Sequence, residues 1–225
     1  MPRDHYLLPG GVLSCGAACV AIPVVYGCVS KLDKHGMSIE ERLAELRVTA
    51  RCGIDPSLPY DNVAGLIDMV SELRPGNVLE IGSDRGVSTE VFLLFSGHVT
   101  VLDPWIYGKN RYDDFMARCG GYSNLTVIKG FSPFELHKLA PASFDLVYID
   151  AVHEYLPIIR DIQAAWPLVK AGGWISGHDY WPPVNYIDII PAIDGLFGKA
   201  NVRLFSDSSW LVKRPDKLPT IGEVE

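Results

Sequence analysis

Basic charge is scarce and scattered. The chain of 225 residues carries 20 Lys and Arg against 27 Asp and Glu, a formal net charge of -7 with a sequence pI near 5.3. No run of Lys or Arg marks a phosphate-binding stripe, so a nucleic-acid partner held by general phosphate neutralisation is excluded. Cysteine is sparse as well: five cannot all pair within one chain, and Cys15 and Cys19 have no His pair nearby. Neither a disulfide framework nor a zinc site is supported. Internal repeats and low-complexity tracts are missing. With 48% hydrophobic and 21% charged residues, disorder and collagen-like structure are excluded too. The length suits a single domain able to bury a core without staples.

The longest absence is of charge itself. From Tyr6 to Ser30 there is no charged residue, and Cys15, Cys19 and Cys28 all fall there. Such a run raises a membrane span or a signal peptide. Pro9, Gly10, Gly11, Gly16, Pro23 and Gly27 dilute it, and only Arg3 precedes it as a basic residue. The expectation is a non-catalytic appendage over residues 1–36, or an over-long start before Met37, with a tether through residues 6–30 left open. Residues 1–36 hold three Lys and Arg and two Asp and Glu, which leaves 17 against 25 for residues 37–225. The acidic balance therefore belongs to the body, whose only cysteines are Cys52 and Cys119. That composition suits a reducing cytoplasm.

From Met37 onward the chain reads as one domain, 37–225. Ser38 and Glu41 form a Ser-x-x-Glu capping box that opens a helix over 38–51. Asp61 is placed to cap a second, over 61–74, whose Val63, Leu66, Ile67, Val70 and Leu73 recur at helical spacing. Then come short apolar runs, each followed by a helix-like segment: Val78–Ile81, Val99–Leu102, Leu125–Ile128, Leu146–Ile149 and Trp174–Ser176. A helix from about Tyr155 to Val169 is expected before the fifth run, with Gly172-Gly173 as its terminator. Fully apolar strands alternating with helices predict an α/β fold, a mostly parallel sheet with helices on both faces. Val202–Phe205 and Trp210–Val212 are separated by only four residues, which predicts a closing hairpin.

Polar residues gather at the predicted carboxyl ends of the strands, where open α/β sheets bind ligands. The first ends in Glu80-Ile81 and runs on into Gly82-Ser83-Asp84-Arg85-Gly86. Its Gly-x-x-x-Gly spacing differs from the dinucleotide Gly-x-Gly-x-x-Gly, and Glu80 would repel a pyrophosphate but tolerate a cofactor with a cationic amino acid end. This argues against a nicotinamide-dependent oxidoreductase. Asp103 ends the second strand, suited to ribose hydroxyls or, equally, to a turn. Phe131 and Ser132 follow the third strand, as a border for adenine or as core and helix start. Asp150 and His153 follow the fourth, and His178 and Asp179 the fifth. Converging on one rim, Asp150, His178 and Asp179 can hold a divalent cation, with His153 as general base. Asp150 as a helix cap and His178 as a core hydrogen-bonder are the plainer alternatives.

The stretch from Asn77 to about Tyr180 resembles class I S-adenosylmethionine-dependent methyltransferases. The phrase Ser143-Phe-Asp-Leu-Val-Tyr-Ile-Asp150, followed by His153, Tyr155, Asp161, Trp166 and Gly172-Gly173, looks like the small-molecule O-methyltransferase branch, which includes catechol-type and antibiotic-sugar enzymes. The resemblance implies a Rossmann-like seven-stranded sheet of order 3-2-1-4-5-7-6. It implies S-adenosylmethionine with Glu80, Gly82, Ser83 and Gly86 by its methionine part, Asp103 at the ribose, Phe131 and Ser132 at the adenine, and Asp150 alongside. Metal-dependent relatives bind magnesium through acids at the Asp150 and Asp179 positions and a third ligand beside the second acid. Here that neighbour is His178 or Tyr180, which favours a softer metal or none. His153 stands where relatives carry the catalytic base. The implied acceptor is a sugar-like or phenol-like hydroxyl. Its walls would come from Trp105–Tyr122 and Trp181–Phe197, with Trp105, Tyr107, Tyr112, Trp181 and Tyr186, unless these rings serve the core or a homo-oligomer contact. Metal-free transfer to oxygen or nitrogen, and a cofactor-binding protein without turnover, remain alternatives.

Overall fold

Val78, Leu79 and Ile81 are fully or almost fully buried, so the first strand is covered on both faces. Successive residues of a strand point to opposite sides, and here they divide between two cores. Val78, Leu146 and Tyr148 enter one, while Leu79, Val147 and Ile149 enter the other. The computed structural model of the chain describes residues 36–50, 62–181 and 188–217. Residues 1–35 of the expected leader, Asp61 and Tyr186 lie outside them. Among the described residues no helix is long and apolar enough to cross a membrane.

The sheet comprises β1 (Asn77–Ile81), β2 (His98–Asp103), β3 (Leu125–Lys129), β4 (Phe144–Ile149), β5 (Val169–Gly177), β6 (Arg203–Leu204) and β7 (Trp210–Lys213). Its order is β3-β2-β1-β4-β5-β7-β6, the order the resemblance implies. β1 to β5 pair in parallel, while β7 runs antiparallel to both β5 and β6. One core packs under α1 (Ile39–Thr49), α2 (Ala64–Leu73), α3 (Val87–Phe95) and α4 (Arg111–Cys119). The other packs under α5 (Tyr155–Ala165) and α6 (Ile189–Phe197).

Two details depart from the sequence reading. The α-helix of α5 stops at Ala165 and tightens into a 3-10 turn, Trp166–Leu168, because Pro167 has no N–H to continue the ladder. Gly172-Gly173 therefore terminates no helix. It lies inside β5, where the pairing with β4 jumps from Phe144↔Val169 to Leu146↔Trp174. A Cβ on Gly173 would stand 2.9 Å from the Asp145 carbonyl oxygen, so this bulge needs glycine. The β3–β4 crossover, in turn, holds only the 3-10 turn Leu136–Lys138 among the described residues.

Helix ends are satisfied from nearby and from afar. Ser38 and Glu41 close the reciprocal capping box at α1. Buried Glu90 on α3 accepts from Arg42 of α1, Arg118 of α4 and Tyr122, tying three helices to one carboxylate. At α2 the cap comes from the far end of the chain. The Leu66 N–H donates to Asp207 Oδ2 at 2.6 Å, and Asp207, fully buried in the β6–β7 turn, also accepts the Ser209 N–H at 3.0 Å. An anion at a helix N-terminus is favoured by the helix dipole and by the orphan N–H groups. Asp207→Ala should lower the free energy of unfolding by about 1–3 kcal/mol, since it leaves buried donors without a partner. Urea denaturation measures this, and an unchanged midpoint would show that the long-range cap carries no stability.

Candidate active site

The chain order reverses at β1: β2 and β3 lie to one side, β4 and β5 to the other. The loops leaving β1 and β4 diverge there and open a crevice at the strands' carboxyl ends. Gly82 sits at its base with φ +84, its N–H on the Leu102 carbonyl at 2.9 Å. A Cβ at this position would lie 2.2 Å from the Asp150 carbonyl oxygen, so the β1 and β4 loops meet only because position 82 is glycine. The chain then turns tightly: Gly86 N–H donates to the Ser83 carbonyl at 2.7 Å, and Gly86 starts α3 in the left-handed region. Asp103 ties this loop to the end of β2. Its Oδ2 accepts the N–H groups of Ser83 (2.9 Å) and Asp84 (3.0 Å), and its Oδ1 accepts that of Trp105 (2.6 Å).

A cavity of about 270 Å³ fills the crevice. Gly82, Asp103, Phe131, Ser132 and Asp150 all line it. Phe131, 51% exposed, stands at the lip. Ser132 is hydrogen-bonded to Asp161 on α5, a buried carboxyl that burial pushes up to about 6 against that bond. Three expected cofactor residues lie behind the wall. Gly86 packs against Cys119, where a Cβ would stand 2.7 Å from its Sγ. Ser83 is buried, and its Oγ has no hydrogen-bond partner among the described residues. Glu80 is fully buried and accepts from the hydroxyls of Ser88 and Thr89 at the start of α3. Burial pushes its carboxyl up to about 8, past the opposing pull of those two hydroxyls. Glu80 is thus neutral near pH 7 and supplies no negative charge to the crevice. That charge comes from Asp103 and Asp150.

Asp150, His153 and Asp179 form a tight group whose ligand-type atoms lie within 4.8 Å of one another. His153 Nε2 is 3.3 Å from Asp150 Oδ1 and 3.1 Å from Asp179 Oδ2. Burial works against its charge, but the two carboxylates outweigh this and raise its pKa. His178, expected to join Asp150 and Asp179 as a ligand, does not. Its Nδ1 is 3.2 Å from Asp179 Oδ1 and its Nε2 is 3.2 Å from Ser208 Oγ. Although burial opposes it, the bond to Asp179 and the charges of Asp150, Asp179 and Asp207 push His178 up to about 9. An imidazolium with both nitrogens occupied has no lone pair for a metal. Tyr180 is equally committed, donating to Asp194 on α6 at 2.7 Å. Nor does Asp150 cap α5: the Tyr155 N–H there donates to Asp188 at 3.1 Å.

The aromatic segments separate by role. Trp105 is buried against Tyr112 and Phe115 and donates its Nε1–H to the Asp84 carbonyl at 2.8 Å. It also lines the cavity, as does Tyr107, which is 71% exposed. Sequence reasoning missed Arg111, which lines the cavity and pairs with Asp84, and Ser208. Nothing in the local spacing announces either: Arg111 opens α4, where a basic residue reads as an ordinary surface position, and Ser208 comes from the β6–β7 turn.

Residues 79–180 match a family model described as a methyltransferase domain. Rv0187 from MTB, solved with cofactor bound, superposes with a TM-score of 0.53 at 18% identity, covering 79% of this chain and 90% of that one. The O-methyltransferase from Bacillus cereus in complex with SAH gives 0.52 at 18% identity, covering 78% and 90%. The fold is the Rossmann-like methyltransferase fold. At these identities the superpositions speak for the fold, which is the fold of both cofactor-bound structures. No curated protein matches the chain in sequence.

The buried Glu80 carboxyl gives the fold a pH signature. Folded Glu80 keeps its proton to about pH 8, whereas the unfolded chain releases it near the ordinary 4.5. Between those values the folded state binds more protons, so this group's contribution to stability falls as pH rises. In Glu80→Gln that contribution is gone. The melting temperature of the variant relative to the native chain should therefore climb between pH 5 and pH 8, and a constant difference would show that Glu80 is already ionised in the fold.

Proposed function

We propose that this domain moves the methyl group of S-adenosylmethionine to a hydroxyl of a small molecule, with His153 accepting the hydroxyl proton. The observation that carries this reading is the place of His153 Nε2, between Asp150 and Asp179, where Asp150 is also a wall of the cavity. S-Adenosylmethionine, when bound, supplies an already activated methyl group. The cavity's residues suit it. Asp103 uses three of its roughly four acceptor positions and keeps capacity for a ribose hydroxyl. Phe131 offers a ring face to the adenine. Just behind that lining, next to Gly82, the buried Ser83 hydroxyl has no partner among the described residues and would be satisfied by turning to the methionine carboxylate.

The work left to the protein is alignment and proton removal. Holding the acceptor oxygen in line with the methyl carbon lowers the barrier by up to about 7–11 kcal/mol in ideal intramolecular cases. Asp150 and Asp179 favour the imidazolium that forms when His153 takes the proton. A hydroxyl needs such a base more than a free amine does, because the amine already has a nucleophilic lone pair. Together with the likeness to an O-methyltransferase, this supports oxygen over nitrogen as the acceptor atom.

A second reading rests on the same cluster. Two carboxylates and an imidazole within 4.8 Å suit a divalent cation, and the imidazole favours manganese, iron, cobalt or zinc over magnesium. Asp150, His153 and Asp179 would hold it, and it would make the acceptor hydroxyl more acidic. His153 cannot be ligand and proton acceptor at once, so the readings separate. Under the first, His153→Ala loses about 10²–10⁴-fold in kcat while SAH affinity persists, and EDTA has no effect. Under the second, EDTA abolishes turnover and manganese restores it. Normal kcat in His153→Ala removes His153 from the mechanism, and turnover indifferent to both EDTA and Asp179→Ala removes the metal.

A further inference from the structure

Asp179 has φ +63, a left-handed conformation uncommon outside glycine and reached more readily by Asp and Asn than by other residues. Both of its neighbours are held by Ser208. The Ser208 hydroxyl lies 3.2 Å from His178 Nε2, and the Ser208 carbonyl accepts the Tyr180 N–H at 3.0 Å. Ser208 is itself left-handed, at φ +69, and buried in the β6–β7 turn. The preceding Asp207 fastens that turn to α2 through the Leu66 N–H. On its other side, His178 Nδ1 sits 3.2 Å from Asp179 Oδ1, which leaves Oδ2 facing His153 Nε2 at 3.1 Å. His178 and Ser208 are buried and neither lines the cavity.

We infer that His178 and Ser208 form a positioning pair that fixes which oxygen of Asp179 faces His153. The inference rests on the proposed function, in which Asp179 and His153 belong to the reaction centre. A carboxylate rotates broadly about its last torsion. A donor on one oxygen, itself held from behind by a second polar contact, selects one orientation. The pair acts through Asp179 and His153, touching neither the acceptor nor the methyl donor. It couples the closing hairpin of the sheet to the chemistry at the ends of β4 and β5.

Ser208→Gly separates this role from folding. Glycine suits φ +69 and keeps the carbonyl that holds Tyr180, while the hydroxyl is lost. The expected result is an unfolding midpoint close to the native one, because relief at φ +69 offsets the donor left unpaired on His178, with unchanged SAH affinity by calorimetry and a kcat about tenfold lower. His178→Asn keeps a donor near the place of Nδ1 but loses the contact to Ser208, and His178→Gln moves the donor away from Asp179, so both should fall with Ser208→Gly. Crystal structures give the readout that does not depend on turnover: Asp179 Oδ2 stays on His153 Nε2 in the native protein and leaves it in the three variants. A native protein inactive toward every hydroxyl acceptor would sink the proposed function, while these structures would still decide the positioning. Asp179 unmoved in both Ser208→Gly and His178→Gln, with any measurable kcat unchanged, would overturn the inference.

Discussion

Everything at the crevice depends on one close approach. The backbone at Gly82 lies so near the Asp150 carbonyl that a side chain at position 82 would overlap it. This contact joins the loop after β1 to the loop after β4 at the point where the sheet changes direction, and sets the floor between them. From that floor the remaining geometry follows. Asp103 can reach two N–H groups of the β1 loop because the loop turns back over β2, and Asp150 presents its side chain to the cavity because its backbone is pinned to Ile81. A larger residue at 82 would have to push the two loops apart.

The second organising principle is charge alternation. Asp150, His153, Asp179 and His178 follow one another as acid, imidazole, acid and imidazole. The charges of His153, Asp179 and His178 are sustained by their neighbours against the cost of burial. Such a row can receive a proton at His153 without creating an unpaired buried charge. Glu80 shows the opposite solution: with no cation beside it among the described residues, burial wins and the carboxyl stays neutral.

Much of this architecture is written in local sequence. Strands buried on both faces betray themselves as unbroken apolar runs, and the capping box at Ser38 follows from spacing alone. The parallel order of the sheet came from resemblance, since periodicity does not say which strand lies beside which. Gly172-Gly173 read as a helix terminator because a glycine pair after a helical pattern usually is one; only the pairing with β4 reveals the bulge. At the site, the residue types at the strand ends were legible, and the direction of their side chains was not. His153 and His178 exchanged expected neighbours because a ring's orientation is set by partners from elsewhere, notably Ser208 in the hairpin. Glu80 looked like a charge beside a ligand because its burial against α3 is a tertiary fact.

In the proposed function the crevice at β1 and β4 holds the methyl donor with its reacting end turned toward His153. A crystal structure with S-adenosylhomocysteine tests it directly. The account predicts the adenine at Phe131, a ribose hydroxyl on Asp103, the amino acid end at Gly82 and Ser83, and the sulfur opening toward Asp150, His153 and Asp179. A ligand bound elsewhere, or one whose sulfur faces away from that group, would contradict it.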